Sequence, residues 1–316
     1  MGDLSSSPDA DRTRPEREDT MTETQPRRIP APEHYDVVVA GAGFAGLYAL
    51  YKARELGYRA IAFESQDGVG GVWRANRYPG AHCDVESADY SFSFDEDLQQ
   101  DWKWTKRFAP QKEILAYLEH VADRYDLRSD IVFNARIEQS RFDEDEQQWI
   151  IRASDGAEVT AQFYVFAGGA LSVPLIPRIP GLEKFEGELL YTSTWPTEEP
   201  DFTGKRAGVI GTGSSGVQLI PELSKQTERL LVFQRTPAFT VPAQNRELTE
   251  EEIAEIKANY AERRRIARES VNGMTWKAAG PSAIEFPEEE RREVYESFWK
   301  AGANIVHSFG DLLVNE

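Results

Sequence analysis

The sequence is poor in several residue types, and each shortage excludes a class of protein. It has one cysteine, Cys83, so no internal disulfide can form and a cytoplasmic location is expected. No apolar run approaches the length that spans a membrane. Lys and Arg number 36 against 54 Asp and Glu, and the resulting net charge of −18 argues against nucleic-acid or anionic-membrane partners. With 40% hydrophobic residues, the 316-residue chain can still bury one large core or two ordinary ones.

The N-terminal residues lack large apolar side chains almost entirely. Ser, Asp, Arg, Glu, Thr and Pro dominate, so there is no apolar core of a signal peptide, and the segment is too acidic for a typical transit peptide. We predict a disordered extension over residues 1–33. Met21 offers an alternative start.

Glycine, in contrast, recurs in two fingerprints of the form G-x-G-x-x-G. They are GAGFAG at 41–46 and GTGSSG at 211–216. Each follows an apolar, β-branched run typical of a strand and opens a stretch with helical periodicity. One such fingerprint is weak support for a nucleotide site, whereas two in this context suggest two dinucleotides bound by one chain.

The first fingerprint has the partner residue that an FAD site requires. Gly41 permits the tight turn, Gly43 lets the backbone approach a pyrophosphate, and Gly46 allows close helix–strand packing. Glu64 ends the next strand eighteen residues after Gly46, where its carboxylate can accept the ribose hydroxyl protons. We predict FAD here; the alternative is a structural turn with a surface Glu.

The second fingerprint has a basic residue at the corresponding place. The strand over 229–234 ends in Gln-Arg-Thr-Pro, which puts Arg235 where an acidic residue would select NAD. A guanidinium pairs with a phosphate in a planar fork, so Arg235 favours the 2′-phosphate of NADP. The alternative is that Arg235 only ends a surface strand.

The loop over 70–84 is the third element of interest. It is rich in Gly, Pro and aromatic residues and begins just after Glu64, so it should run along the same dinucleotide toward the flavin ring. Asp84 at its end is then a candidate charge near the redox centre. The alternative is an Asp that caps a turn.

These features predict an α/β protein with two Rossmann-like domains for FAD and NADP and a helical insertion. We divide it into an extension at 1–33, an FAD domain at 34–180, a linker and an NADP domain at 181–246, and a helical insertion at 247–316. Strands are expected at 35–40, 59–64, 131–133, 137–142, 149–151, 159–166, 206–210 and 229–234. Helices are expected after each fingerprint and at about 110–126, 250–270 and 288–300.

Two longer patterns point to a family. The 70–84 segment fits Gly-Gly-x-Trp-x4-Tyr-Pro-Gly-x3-Asp, and residues 185–196 fit Phe-x-Gly-x3-His-x3-Trp-Pro except at one position. In these patterns and their order the chain resembles the type I Baeyer–Villiger monooxygenases over about residues 33–316. The residues of the second pattern are Phe185, Gly187, Tyr191, Trp195 and Pro196.

The resemblance implies an NADPH-dependent FAD monooxygenase that inserts one oxygen atom of O2 beside a ketone carbonyl, giving an ester or lactone. It implies FAD contacts by Gly41, Gly43, Phe44, Gly46, Glu64, Gly71, Trp73, Asp84, Tyr90 and Ile137. It implies NADP contacts by Gly211, Thr212, Gly213, Ser214, Ser215, Gly216, Gln218, Arg235 and Thr236. Asp84 is the one residue given a catalytic role, and no metal ligand is predicted.

The chain departs from the family in two ways. Tyr191 replaces the His that helps coordinate NADPH use with oxygenation, so we expect unchanged FAD binding with slower or less coupled turnover. The family also continues past this point with an Arg needed for oxygenation and a Lys for the 2′-phosphate. The resemblance therefore implies a fragment, with the first part of the FAD domain at 34–180, the first part of the NADP domain at 181–246, an incomplete second domain and a truncated helical insertion at 247–316. Alternatives are an N- or S-oxygenating flavin monooxygenase and a non-catalytic FAD- or nucleotide-binding fragment. The single cysteine disfavours a disulfide reductase, and the ketone and the oligomeric state stay unassigned.

Overall fold

A computed structural model describes residues 33–171, 173–238, 240–270, 273–275, 280–302 and 308–312. Apart from Glu33, the predicted extension over 1–33 lies outside the described residues.

The strands lie close to their predicted positions. They are β1 Glu33–Ala40, β2 Ala60–Phe63, β3 Ile131–Val132, β4 Ile137–Asp143, β5 Gln148–Ala153, β6 Glu158–Phe166, β7 Arg206–Ile210 and β8 Arg229–Phe233. The α-helices are α1 Phe44–Glu55, α2 Val72–Ala75, α3 Glu96–Asp101, α4 Gln111–Arg124, α5 Ser214–Ser224, α6 Glu250–Ala258, α7 Tyr260–Glu269 and α8 Glu288–Ala301. Short 3-10 helices span Leu127–Asp130, Leu182–Lys184, Thr192–Thr194 and Ala283–Glu285.

The first unit is built on a six-stranded sheet of order β3-β2-β1-β6-β5-β4. β1 pairs in parallel with β2 and β6, and β2 with β3, whereas β4, β5 and β6 form an antiparallel meander. Successive side chains of a strand point to opposite faces. Val37 and Val39 of β1 accordingly join the core formed with α1 and α4, and Val38 joins a second core with Ile151 of the meander.

The second unit is a strand–helix–strand motif. β7 and β8 pair in parallel, and Leu219 and Leu223 of α5 pack on one face of this two-stranded sheet. The other face carries Ile210, Leu231 and Phe233, which are 69%, 44% and 55% exposed. Parallel sheets are normally covered on both faces, so this unit is covered on one side only by the described residues.

Two helices differ from the sequence prediction. The helix expected over 250–270 is broken at Asn259, whose φ of −112° and ψ of 12° leave the helical region and whose side-chain amide donates to the Glu255 carbonyl. α3 was not predicted, although Asp95 caps it by accepting from the Leu98 N–H at 2.9 Å. Among the described helices, none has the length and apolar character needed to cross a bilayer.

Candidate dinucleotide sites

The first glycine turn, residues 41–46, connects β1 to α1. Gly41 has a φ of +98°, a conformation that favours glycine. A Cβ on Gly41 would lie 2.7 Å from the carbonyl oxygen of Ala167, and a Cβ on Gly46 would overlap the carbonyl oxygen of Gly41. Because neither position accommodates a side chain, the turn presents backbone to any ligand.

The N-terminus of α1 has no side-chain cap, unlike those of α3 and α6. Gly43 precedes it, no side chain caps it, and its first turn contains no acidic residue. In α6, by contrast, the Thr249 hydroxyl accepts from the Glu252 N–H while the Glu252 carboxylate accepts from the Thr249 N–H. Free N–H groups at the positive end of a helix dipole attract anions. The glycine turn and this uncapped terminus therefore fit a pyrophosphate.

Glu64 directly follows β2 and is only 4% exposed. Its Oε2 accepts from the Ala42 N–H at 2.7 Å, and its Oε1 accepts from the Gln66 N–H at 2.9 Å and the Ser65 hydroxyl at 3.2 Å. These bonds tie the carboxylate to the glycine turn. A carboxylate has about four acceptor positions, so ribose hydroxyls are compatible with these contacts, and ribose binding by Glu64 stays a prediction.

Ile137, also assigned to the FAD site, lies near Glu64. The Ala135 N–H donates to the Glu64 carbonyl at 2.9 Å, which holds the start of β4 beside the end of β2. Ile137 is half-buried against the second core. Its assignment to the cofactor remains a prediction from the resemblance.

Three aromatic side chains gather next to the first glycine turn. The Trp73 indole N–H donates to the Tyr90 hydroxyl at 3.0 Å, and the Tyr90 ring meets the Phe44 ring edge-on with centroids 5.0 Å apart. Gly71 has a φ of +54°, and a Cβ there would lie 3.1 Å from the Cα of Gly43. The loop therefore folds back onto the turn, and residues assigned to FAD from separate segments come together.

The second glycine turn repeats the backbone of the first. Gly211 has a φ of +100°, and a Cβ on Gly216 would overlap the carbonyl oxygen of Gly211. Gly213 precedes α5, which has no side-chain cap and no acidic residue in its first turn. The Gln234 side-chain amide donates to the Thr212 hydroxyl at 2.7 Å, which holds the end of β8 against the turn.

The remaining predicted NADP residues lie around this turn. Arg235 and Thr236 follow β8 and are exposed, while Ser214 and Ser215 occupy the first turn of α5. The Gln234 contact places Arg235 beside the glycine turn. Binding of a 2′-phosphate by Arg235 stays a prediction.

Gln218 of α5 connects the second unit to the loop that ends at Asp84. Its Nε2 donates to the Asp84 carboxylate at 3.2 Å and to the His82 carbonyl at 3.0 Å, and its Oε1 accepts from the Tyr78 hydroxyl at 2.8 Å. Burial raises the pKa of Tyr78, so its hydroxyl remains a donor. The loop that contacts the first turn through Gly71 is thus held at its other end by the helix of the second turn.

A cleft of about 960 Å³ lies between this loop and the second turn. Asp84, whose side chain is 68% exposed, lines it together with Thr212, Gly213 and Ser214. Three cations that the sequence did not single out also line it, namely Arg77, Lys106 and Lys112. Isolated basic residues give no signal in a chain with 36 of them. The described residues contain no group of three or more His, Cys, Asp or Glu placed to hold a metal ion.

The segment 185–196 reaches this cleft only at its end. Trp195 and Pro196 line the cleft, and Trp195 is buried, with an indole N–H that finds no acceptor among the described residues. Tyr191 is half-buried, and Phe185 and Gly187 are exposed. The Phe185 ring lies over Gly187, where a Cβ would be 2.6 Å from the ring.

Residues 34–246 match the model of the flavin-binding monooxygenase-like family. The chain is 43% identical over 278 residues to a phenazine N-monooxygenase of Lysobacter antibioticus, covering 88% of this chain and 51% of that protein. It is 37% identical over 282 residues to an acetone monooxygenase (methyl acetate-forming) of Gordonia sp., and the match covers 89% of this chain and 53% of that protein. The chain also matches the solved structure of an oxidized steroid monooxygenase bound to NADP, with 52% sequence identity and a TM-score of 0.86. This match covers 89% of this chain and 54% of that one.

The chain thus spans about half the length of the relatives it matches. The matched region includes both glycine turns, the loop over 70–84 and the segment 185–196. These matches confirm the predicted α/β flavoprotein fold and the predicted kinship with monooxygenases. The chain belongs to the flavin-binding monooxygenase-like family.

Proposed function

We propose that the polypeptide carrying this chain is an FAD- and NADPH-dependent monooxygenase that inserts one oxygen atom of O2 beside a ketone carbonyl, giving an ester or lactone. The Gln218 contacts carry this proposal. They join the helix of one uncapped glycine turn to the loop of the other, so two dinucleotides bound at these turns belong to one catalytic unit.

The first turn supplies the FAD site. Backbone N–H groups at the start of α1 face the pyrophosphate, Glu64 accepts ribose hydroxyls, and Trp73 and Tyr90 border the cofactor. When bound, FAD would accept the hydride and react with O2. The protein's part is to bind and orient the cofactor and to exclude water.

The second turn supplies the NADPH site. The start of α5 faces its pyrophosphate, and Arg235 pairs with the 2′-phosphate. Thr212 is oriented by Gln234, so its hydroxyl proton is free for a neighbouring acceptor. The Asp84 carboxyl group lies in the cleft, oriented by Gln218 and 3.8 Å from the His82 imidazole, and its oxygens accept hydrogen bonds from donors that enter the cleft.

Ketone oxygenation is favoured by both the motifs and a relative. The patterns over 70–84 and 185–196 resemble those of Baeyer–Villiger enzymes, and the acetone monooxygenase is named for forming an ester from a ketone. N-oxygenation is the second candidate, because the chain is 43% identical to the phenazine N-monooxygenase and 37% identical to the acetone monooxygenase. The cytoplasmic location predicted from the single cysteine remains a prediction.

The test starts with flavin. Protein purified with FAD should retain it after gel filtration, and anaerobic NADPH should bleach the flavin absorbance. In air, NADPH oxidation should then rise on addition of acetone or cyclohexanone, with the ester or lactone detected by gas chromatography. A protein that retains no FAD would contradict the proposal. If phenazine alone stimulates NADPH oxidation and yields an N-oxide, the second candidate replaces the first.

A further inference from the structure

The helix α7 contacts the first unit through a partly buried ion pair. The Arg263 guanidinium donates to the Asp89 carboxylate at 2.9 Å, and the Asp89 side chain is only 2% exposed. The second oxygen of Asp89 accepts from the Thr275 hydroxyl at 2.5 Å and from the Thr275 N–H at 3.1 Å. Burial opposes the charge on Arg263, but Asp89 and Glu86 outweigh it and raise the pKa of the guanidinium. The Asp89 carboxylate is therefore bound by residues far along the chain, Arg263 and Thr275.

The next residue, Arg264, binds the backbone of the same segment. Its guanidinium donates to the carbonyls of Asp89 at 3.2 Å and Phe92 at 3.3 Å, and to the Ser91 hydroxyl at 2.7 Å. No carboxylate forms an ion pair with Arg264 in the part of the chain that the structure describes. Burial lowers its pKa. A partly buried cation is thus matched mainly by acceptors on both sides of residue 90.

The residue between these contacts is Tyr90. Its hydroxyl accepts from the Trp73 indole, and its ring packs on Phe44, the residue that begins α1 directly after Gly43. The position of Tyr90 therefore sets the aromatic side of the first glycine turn. α7 contacts the residues on both sides of Tyr90, and it makes no direct contact with the turn in the interactions described above.

We propose that Arg263 and Arg264 are positioning residues for the flavin site, acting through Tyr90. This inference rests on the proposed function, because it assigns their role in FAD binding. The helices after the second unit then serve the cofactor site of the first, holding the segment 86–92 so that Tyr90, Trp73 and Phe44 keep one arrangement.

The helices after the second unit also contact the first unit through residues other than these two arginines. Lys103 pairs with Glu250 at 2.6 Å, and Lys257 donates to the Gln100 carbonyl, so α6 has its own contacts with the first unit. On α7, Arg265 is exposed and pairs only with Glu262 and Glu269 of the same helix in the described ion pairs. Arg265 is therefore a matched control for its neighbour.

The experiment compares Arg264→Lys with Arg265→Lys in the FAD-loaded protein. A lysine ammonium cannot reproduce the fork that reaches two carbonyls and a hydroxyl. We expect Arg264→Lys to raise the Kd for FAD about tenfold, as loss of charge-assisted bonds would, and to increase the fluorescence of bound flavin as the aromatic rings move away. Arg265→Lys should leave both unchanged.

A second comparison separates positioning from general stability. If Arg264 acts through Tyr90, then adding Arg264→Lys to a Tyr90→Leu variant should leave the FAD Kd where Tyr90→Leu alone puts it. Fully additive effects, or an unchanged Kd and fluorescence in Arg264→Lys, would overturn the inference. Should Arg264→Lys not fold, Ser91→Ala removes one acceptor and provides the same test with a smaller shift. Failure of the unmodified protein to bind FAD would instead contradict the proposed function.

Discussion

The two glycine turns have nearly the same backbone but different surroundings. Gly41 and Gly211 have φ angles of +98° and +100°, and in both turns the last glycine packs on the carbonyl of the first. The first turn lies against Ala167 and the folded-back loop, whereas a Cβ on Gly211 would meet nothing within 4 Å among the described residues. Six residues thus encode the turn, and distant segments determine how enclosed the site is.

The largest effect expected from this difference is at the last glycine of each turn. Gly46→Ala forces a methyl group into the Gly41 carbonyl inside a packed core, so we expect a loss of about 2–3 kcal/mol in unfolding free energy together with loss of FAD. Gly216→Ala makes a milder overlap between the Cβ and the carbonyl oxygen, and it does so in a less enclosed turn. Its loss should be about 1 kcal/mol, with FAD retained and NADPH binding weakened. Chemical denaturation and titration with each cofactor measure these effects.

The first glycines provide the control for this comparison. Gly41→Ala and Gly211→Ala share the cost of a left-handed residue, about 1–2 kcal/mol, but only Gly41→Ala adds a contact at 2.7 Å with Ala167. Gly41→Ala should therefore be the more destabilising. Equal losses at the two positions would show that surroundings contribute nothing and that the turn alone sets the cost.

The turns themselves could be predicted from the sequence because their signals are local. The apolar run of β1, the glycines and the position of Glu64 lie within about thirty residues, and the structure places each as predicted. The helix cap at Asp95 is equally local and predicts α3, although it was missed. The loop over 70–84 gave Asp84 as a candidate and the family resemblance gave Gln218, both without the bond that joins them.

The contacts between distant segments could not be predicted in this way. Arg263 and Asp89 are 174 residues apart, and neither belongs to a pattern or a periodic face that names the other. The cleft cations Arg77, Lys106 and Lys112 are similarly brought together only by the fold. An ion pair depends on tertiary geometry, and a chain with 28% charged residues offers too many pairs to choose from.

A substitution at Arg235 tests whether the less enclosed second site distinguishes NADP from NAD. Replacing it by Gln removes the planar cation expected to pair with the 2′-phosphate, so the Kd for NADP+ should rise about tenfold. The Kd for NAD+, which lacks that phosphate, should not change. Both constants can be measured by calorimetry, with Arg229→Gln at the other end of β8 as the control. An equal loss for both nucleotides would exclude a role in phosphate recognition.

Tyr191 tests the connection between the two units. It lies half-buried before the 3-10 helix at Thr192–Thr194, where the family pattern has His. Because His can become cationic near neutral pH and Tyr cannot, Tyr191→His should raise ketone-dependent NADPH oxidation by about threefold, roughly 0.7 kcal/mol. FAD binding should stay constant, and Tyr191→Phe should give no gain. An unchanged rate in Tyr191→His would contradict the role assigned to this position.

The last comparison concerns Cys83, which lies in the first unit beside Asp84. The thiol is 6% exposed, and burial raises its pKa to about 11. At pH 8 its thiolate fraction is about 100-fold below that of a thiol with the ordinary value of 9.0, so iodoacetamide should react slowly and faster as the pH rises. Gly216→Ala should leave this protection intact, whereas Gly46→Ala, which destabilises the first unit, should reduce it. Loss of protection in Gly216→Ala would show that the packing around Cys83 in the first unit depends on the second unit, to which Gln218 joins it.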